Sequence, residues 1–220
     1  MRLTCFKYAD TFLHEKNIFC RDWQEKYRPI SLLFYLIETD GRVILADTGC
    51  DWLAGFVMQS FRNPAELLAE SGVRPESVTD VILTHAHLDH AGGSGYFPGA
   101  VFHLQEDELR DAGQFLPKGA EVRLFREQAD VSPGVRAVWS GGHTRGSSVV
   151  ELDADGQKWV LTGDECYLPD CFTRGIPTGA SFCPERSLAF LRKYGDPAYK
   201  LLTFHDPDIC PGGPGAYRII

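Results

Sequence analysis

From residue 84 to 93 the chain reads T-H-A-H-L-D-H-A-G-G, and no other stretch limits its possible folds so strongly. His85, His87, Asp89 and His90 fall within six residues. Neutral imidazole nitrogens and a carboxylate oxygen are the ligands that suit a borderline divalent metal such as zinc. The run before them, Val81-Ile82-Leu83-Thr84, is apolar and β-branched, so it reads as a short buried strand that delivers the histidines at its end. Gly92-Gly93 then let the backbone turn sharply, because glycine adopts positive φ without steric cost.

The same arrangement recurs downstream. His143 follows V-R-A-V-W-S-G-G, Asp164 follows W-V-L-T-G and His205 follows L-L-T-F. Ligands at strand ends converge on one rim if the strands lie in register, and loops held by a rigid scaffold are the usual home of such sites. The set divides into two: His85, His87 and His143 for one ion, Asp89, His90 and His205 for another, with Asp164 between them. Two ions a few ångströms apart would make hydroxide from a bridging water at neutral pH and polarise a substrate carbonyl. Zinc is the expected metal, with manganese, iron or cobalt as alternatives for His/Asp ligands. His14, in an irregular segment, and His103, in mid-strand, are read as packed histidines.

Composition narrows the class. At 220 residues the chain is long enough for a substantial core, and 44% hydrophobic with 24% charged residues is ordinary for a globular protein. A formal charge of −8 argues against a nucleic-acid partner. No run reaches transmembrane length, so no membrane association is expected. The N-terminal MRLTCFKYADTFLHEK lacks the apolar core of a secretory signal, which makes the cytoplasm the expected location. Seven cysteines without a C-x-x-C pair fit reduced, packed thiols.

Taken in order, residues 1–29 are aromatic-rich and read as a strand plus a surface-packing loop. Strands over 31–38 and 42–47 form a hairpin around Asp40-Gly41, and the second brings Asp47 to its end. A helix follows, capped by Asn63, with Pro64 in its first turn, Glu66 completing a capping box and Gly72 ending it. Strands are expected at 101–104, 135–139, 149–152, 159–162 and 200–204, an acidic helix at 105–112 and another helix at 187–194. Hairpins and strand–helix alternation together indicate a mixed α/β layered architecture, and a single domain over 1–220 is the simplest account.

These motifs in combination, H-A-H-L-D-H, G-H-T, T-G-D, the last histidine and the upstream D-T-G of Asp47-Thr48-Gly49, resemble the metallo-β-lactamase superfamily of hydrolases over roughly residues 31–206. The resemblance implies an α/β fold, the αβ/βα four-layer sandwich of two mixed β-sheets flanked by helices, with two metals at one edge. It also implies that Asp47 holds a ligand histidine.

Within that superfamily, Tyr167 in G-D-E-C-Y resembles a tyrosine that N-acyl homoserine lactone lactonases place over the metals, and residues 29–49 look similar to theirs. The resemblance implies a quorum-quenching type of chemistry: a metal-bridging hydroxide opens a lactone or carboxylic ester. Tyr167 donates to the oxyanion, and Asp89 or Asp164 passes a proton to the leaving alkoxide. The alternative is a glyoxalase II-like thioester hydrolase, whose relatives carry further C-terminal basic helices. A mono-iron dioxygenase, a nuclease, a β-lactamase and a metal-free binding module fit the ligand set or composition less well. The expected partner is a small ester, lactone or thioester, with a homodimer left open. Trp23, Trp52, Phe172 and Phe182 are apolar candidates for its pocket, packing being the more ordinary role for each. Cys166 is read as packing.

Overall fold

A computed structural model describes all of residues 1–220. Twelve strands run β1 (Arg2–His14), β2 (Tyr27–Thr39), β3 (Arg42–Ala46), β4 (Asp80–Ile82), β5 (Val101–Gln105), β6 (Glu121–Phe125), β7 (Gln128–Ser132), β8 (Val135–Trp139), β9 (Ser148–Ala154), β10 (Gln157–Leu161), β11 (Tyr199–Leu202) and β12 (Gly215–Arg218). The helices are α1 (Glu15–Ile18), α2 (Pro64–Glu70), α3 (Leu88–Ala91), α4 (Leu109–Ala112), α5 (Asp170–Arg174) and α6 (Pro184–Tyr194).

The strands form two mixed sheets, β12-β1-β2-β3-β4-β5-β6 and β11-β10-β9-β8-β7. In the first, β3 to β6 are parallel and the rest antiparallel. In the second, only the β10–β11 pair is parallel.

The apolar run of β2 shows why two sheets stack. Side chains alternate across a strand, and here both faces are buried. Leu33, Tyr35 and Ile37 join Val150, Leu152 and Leu161 of the second sheet in one core between the sheets. Leu32, Phe34 and Leu36 face outward into the helix-covered core with Leu67 and Leu68 of α2. On the far side, Val149 and Val160 pack with Phe190, Leu191 and Tyr194 of α6. Two sheets flanked by helices result, as expected.

Local signals hold where chemistry is explicit. The Asn63 side chain accepts the Glu66 N–H at 3.1 Å, and Pro64 opens α2; of the capping box, this Asn63 half is the one that forms. Hairpins turn at Asp40-Gly41 and Asp155-Gly156. Three differences have physical reasons. The first segment is more ordered than expected: β1 pairs along its length with β2, and His14 ends that strand and caps α1. The strand before His205 stops at Leu202, freeing Thr203 and Phe204 to turn into the rim. Gly92 and Gly93 have negative φ, −62° and −85°, so close packing explains them and left-handed backbone does not. A Cβ at Gly93 would meet the Thr48 carbonyl at 2.5 Å.

Candidate metal centre

The structure gathers all seven expected ligands at one edge of the sandwich. β4 ends at Ile82, and the chain then passes through His85 and His87 into α3, whose first turn carries Asp89 and His90. His143 comes from the loop after β8, Asp164 from the 3-10 turn Gly163–Glu165 after β10, and His205 from the segment after β11. One ligand atom each from His85, His87, His143 and Asp164 lie within 4.8 Å of one another, as do those of Asp89, His90 and His205. The histidines and Asp89 are grouped here as in the sequence pattern, which set Asp164 between the two groups.

Asp164 stands between the groups. Its Oδ2 is 3.7 Å from His85 Nε2 and 3.6 Å from His143 Nε2, while its Oδ1 is 3.0 Å from Nε2 of both His90 and His205. Asp89 Oδ2 lies 3.8 Å from Nε2 of the same two rings.

Hydrogen bonds on the outer side of each ring aim these atoms inward. His205 Nδ1 donates to the Ser31 carbonyl at 3.0 Å, and His143 Nδ1 donates to the Ala180 carbonyl. His90 Nδ1 donates to Asp47 Oδ2 at 2.6 Å. His85 Nδ1 lies 3.1 Å from the Thr84 hydroxyl, which itself donates to Asp47 at 2.8 Å. Each ring thus holds a proton on Nδ1 and turns Nε2 inward as the nitrogen available for ligation, the orientation a metal site needs. His87 is different, presenting Nδ1 at 3.0 Å from His85 Nε2 and 2.9 Å from His143 Nε2. At most one proton fits among those three nitrogens, so the meeting lone pairs call for a cation. His90 Nε2, buried and making no well-aligned hydrogen bond, faces Asp164 Oδ1 at 3.0 Å. The donor set therefore fits two divalent ions.

The charges of the centre divide unevenly among these groups. Burial works to raise the Asp164 carboxyl, but His90 and His205 beside it prevail and hold it well below the usual carboxylate range. Burial and the neighbouring His90 push His85 well down, and burial with His143 lowers His87. Burial opposes charge on His90, but Asp164 and then Asp47 raise it well above the ordinary imidazole value. Tyr167 is held protonated by burial first and by Asp164 and Asp89 next.

Tyr167 stacks on His205 with ring centroids 5.0 Å apart and lines a cleft with His87, Asp89 and Asp164. That cleft, about 220 Å³, is walled by Leu13, Ile30, Leu32, Leu53 and Phe56. The aromatic candidates for this role do not line it: Trp23 and Trp52 are exposed, Phe172 packs on Phe190 at 5.4 Å, and Phe182 lies under the Arg145 guanidinium in a neighbouring cleft that also borders His87 and His143. Leu13 and Ile30 lie on β1 and β2; in sequence Leu13 fell in the strand and surface-packing loop read over residues 1–29, and Ile30 lay just before the strand read over 31–38, so neither was singled out. His103 pairs with Asp80 at 2.8 Å and His14 with Glu25 at 3.2 Å, both away from the centre. All seven cysteines are free, and buried Cys166 donates to the Leu168 carbonyl at 2.9 Å.

Fold and site together define a metal-dependent hydrolase. The chain belongs to the metallo-beta-lactamase superfamily, whose family model matches residues 31–191. It is 32% identical to a probable metallo-hydrolase of Mycobacterium tuberculosis, over 84% of this chain and 75% of that one. It is 26% identical to an N-acyl homoserine lactonase of Bacillus thuringiensis, over 72% and 73% of the two chains. Among solved structures it is similar in fold to an N-acyl homoserine lactone hydrolase with N-hexanoyl-L-homoserine bound at its catalytic metal center, with a TM-score of 0.82, 20% identity and 94% of both chains covered. A dizinc quorum-quenching lactonase aligns with a TM-score of 0.75 at 16% identity, covering 99% of this chain and 93% of its own. No helix is long and apolar enough to cross a membrane.

Proposed function

We propose that this hydrolase opens lactones or related carboxylic esters, N-acyl homoserine lactones being the leading class, with two divalent ions, zinc by preference, held by His85, His87, Asp89, His90, His143, Asp164 and His205. The observation that carries the reading is Asp164, which turns one oxygen to each group of ligands. The ions would supply activation of water and polarisation of the substrate carbonyl.

The chain's own residues do the rest. The apolar wall of Leu13, Ile30, Leu32, Leu53 and Phe56 takes an acyl chain and leaves the ester beside Asp89 and Asp164. Tyr167, kept protonated by its buried and acidic surroundings, donates its O–H to the carbonyl oxygen as negative charge gathers there. Asp164, held ionised between two histidines, does not retain a proton. Asp89 is the freer carboxylate, with a side chain 17% exposed; it takes the proton released as water adds to the carbonyl and hands it to the departing alkoxide. The similarity to named N-acyl homoserine lactonases supports the substrate class.

The test joins metal analysis to a substrate panel. The expected result is two ions per chain and turnover of N-acyl homoserine lactones well above that of S-lactoylglutathione. Faster cleavage of the thioester would transfer the activity to the glyoxalase II-like alternative, and failure to open any lactone would refute the substrate class.

A further inference from the structure

Residues 140–147, which carry His143, contain no strand or helix, and beyond turn bonds among Ser140, Gly141, Thr144 and Ser147 they are held from outside. Two buried glutamates do this. Glu165 is wholly buried. Its Oε1 accepts the backbone N–H of Gly142 at 2.8 Å and of His143 at 2.9 Å, and the hydroxyls of Ser140 at 2.8 Å and Ser147 at 2.6 Å. Its Oε2 accepts from Ser187 of α6 at 3.3 Å. From the opposite wall, Glu108 accepts from the Thr144 hydroxyl at 2.6 Å, the Gly146 N–H at 2.9 Å and the Ala86 N–H at 2.8 Å. Every one of these donors is a neutral N–H or O–H group.

The glycine spacing of G-G-H-T-R-G follows from these two carboxylates. A Cβ at Gly142 would collide with the Glu165 carboxylate and Ser187, and one at Gly146 with Gln105 and Glu108. Loop and carboxylates are thus built to fit each other, at a place that no ligand role explains.

We infer that Glu165 is a positioning residue for one of the two metal positions. By gathering the N–H groups of Gly142 and His143 it sets the backbone from which the His143 ring projects, and so sets the affinity of the His85/His87/His143 group. Glu165 makes its hydrogen bonds to Ser140, Gly142, His143, Ser147 and Ser187 and none to Asp89, His90 or His205, so that group keeps its affinity. Glu108 braces the same loop against Ala86, the residue between His85 and His87. The inference rests on the two-ion reading of the centre.

The experiment titrates metal-free protein with Co²⁺ alone, following the visible absorption of the bound ion and counting ions by equilibrium dialysis. The wild type tests the two-ion reading: two Co²⁺ per chain support it, and fewer refute it before any variant is considered. Glu165→Leu is then expected to weaken one position about 10- to 100-fold, the usual cost of losing an outer hydrogen-bond partner, and to leave the other unchanged. Glu165→Gln keeps an oxygen for Gly142 and His143 and is expected to restore most of the loss. Two full-affinity positions in a folded Glu165→Leu protein, or equal weakening of both, would overturn the inference while leaving the two-ion reading intact. Should Glu165→Leu not fold, the Ser140→Ala/Ser147→Ala double variant is judged by the same criterion, since it removes two hydroxyl donors and keeps the carboxylate.

Discussion

Asp47→Asn tests how the centre is oriented. Asp47 is wholly buried and accepts three bonds: the Thr84 N–H at 2.7 Å, the Thr84 hydroxyl at 2.8 Å and His90 Nδ1 at 2.6 Å. An amide in its place offers one acceptor and one donor. If its oxygen stays on the Thr84 N–H, the NH₂ faces His90 and requires that ring to accept at Nδ1, which moves the proton to Nε2 and removes the lone pair a metal needs. If it flips, NH₂ meets the Thr84 N–H and a buried bond is lost instead. A hydrogen bond to a charged group contributes about 1.5–3 kcal/mol. At about 1.4 kcal/mol per factor of ten, metal affinity at the His90 group should fall about 10- to 150-fold. The same figure set against an ordinary stability of about 5–15 kcal/mol leaves the protein folded. Asp47→Ala is less informative, because three buried donors without a partner at about 1–3 kcal/mol each could unfold the chain. Competition with a chromophoric zinc chelator, alongside thermal melts of the metal-free protein, measures both quantities. Binding of two zinc ions by Asp47→Asn with wild-type affinity would refute the tautomer argument.

Tyr167→Phe should lower kcat on lactones by about 100-fold, the scale of one lost oxyanion donor, with metal content unchanged; steady-state kinetics on metal-loaded protein check this, and an unaltered kcat would remove Tyr167 from the chemistry. Burial works to raise the Asp80 carboxyl, but its bond to His103 at 2.8 Å, with Thr79 and Arg42, holds it below its ordinary value. A folded pKa below the unfolded one means the contribution is present above about pH 4 and lost as pH falls through the folded value. Urea unfolding across pH should therefore show Asp80→Asn less stable than wild type at neutral pH, the gap closing in acid; a gap that stays constant would be the wrong result.

Legibility from sequence followed chemical distinctiveness. His85, His87, Asp89, His90, His143, Asp164 and His205 were all readable, because few roles suit imidazoles and carboxylates at the ends of apolar runs. The two-faced run of β2 and the cap at Asn63 were readable for the same reason: side-chain alternation and hydrogen-bond chemistry are local. Of the four edge strands, β11 was read and the other three were not. β6, β7 and β12 lie at sheet edges, and β6 and β12 are largely open to solvent, so their sequences carry little apolar alternation. Glu108 and Glu165 were equally silent, since a glutamate destined for burial looks in sequence like any surface glutamate.

The sequence by itself determined which groups are suited to bind a metal and what chemistry they favour, through residue types whose ligand preferences do not depend on their surroundings. Only the tertiary structure decided that His87 presents Nδ1 while the other rings present Nε2, that Asp164 faces both groups, and that Leu13 and Ile30 wall the cleft. Those outcomes depend on which distant backbone carbonyls, such as Ser31 and Ala180, arrive beside each ring. That arrival is set by how two sheets stack, and no local pattern encodes it.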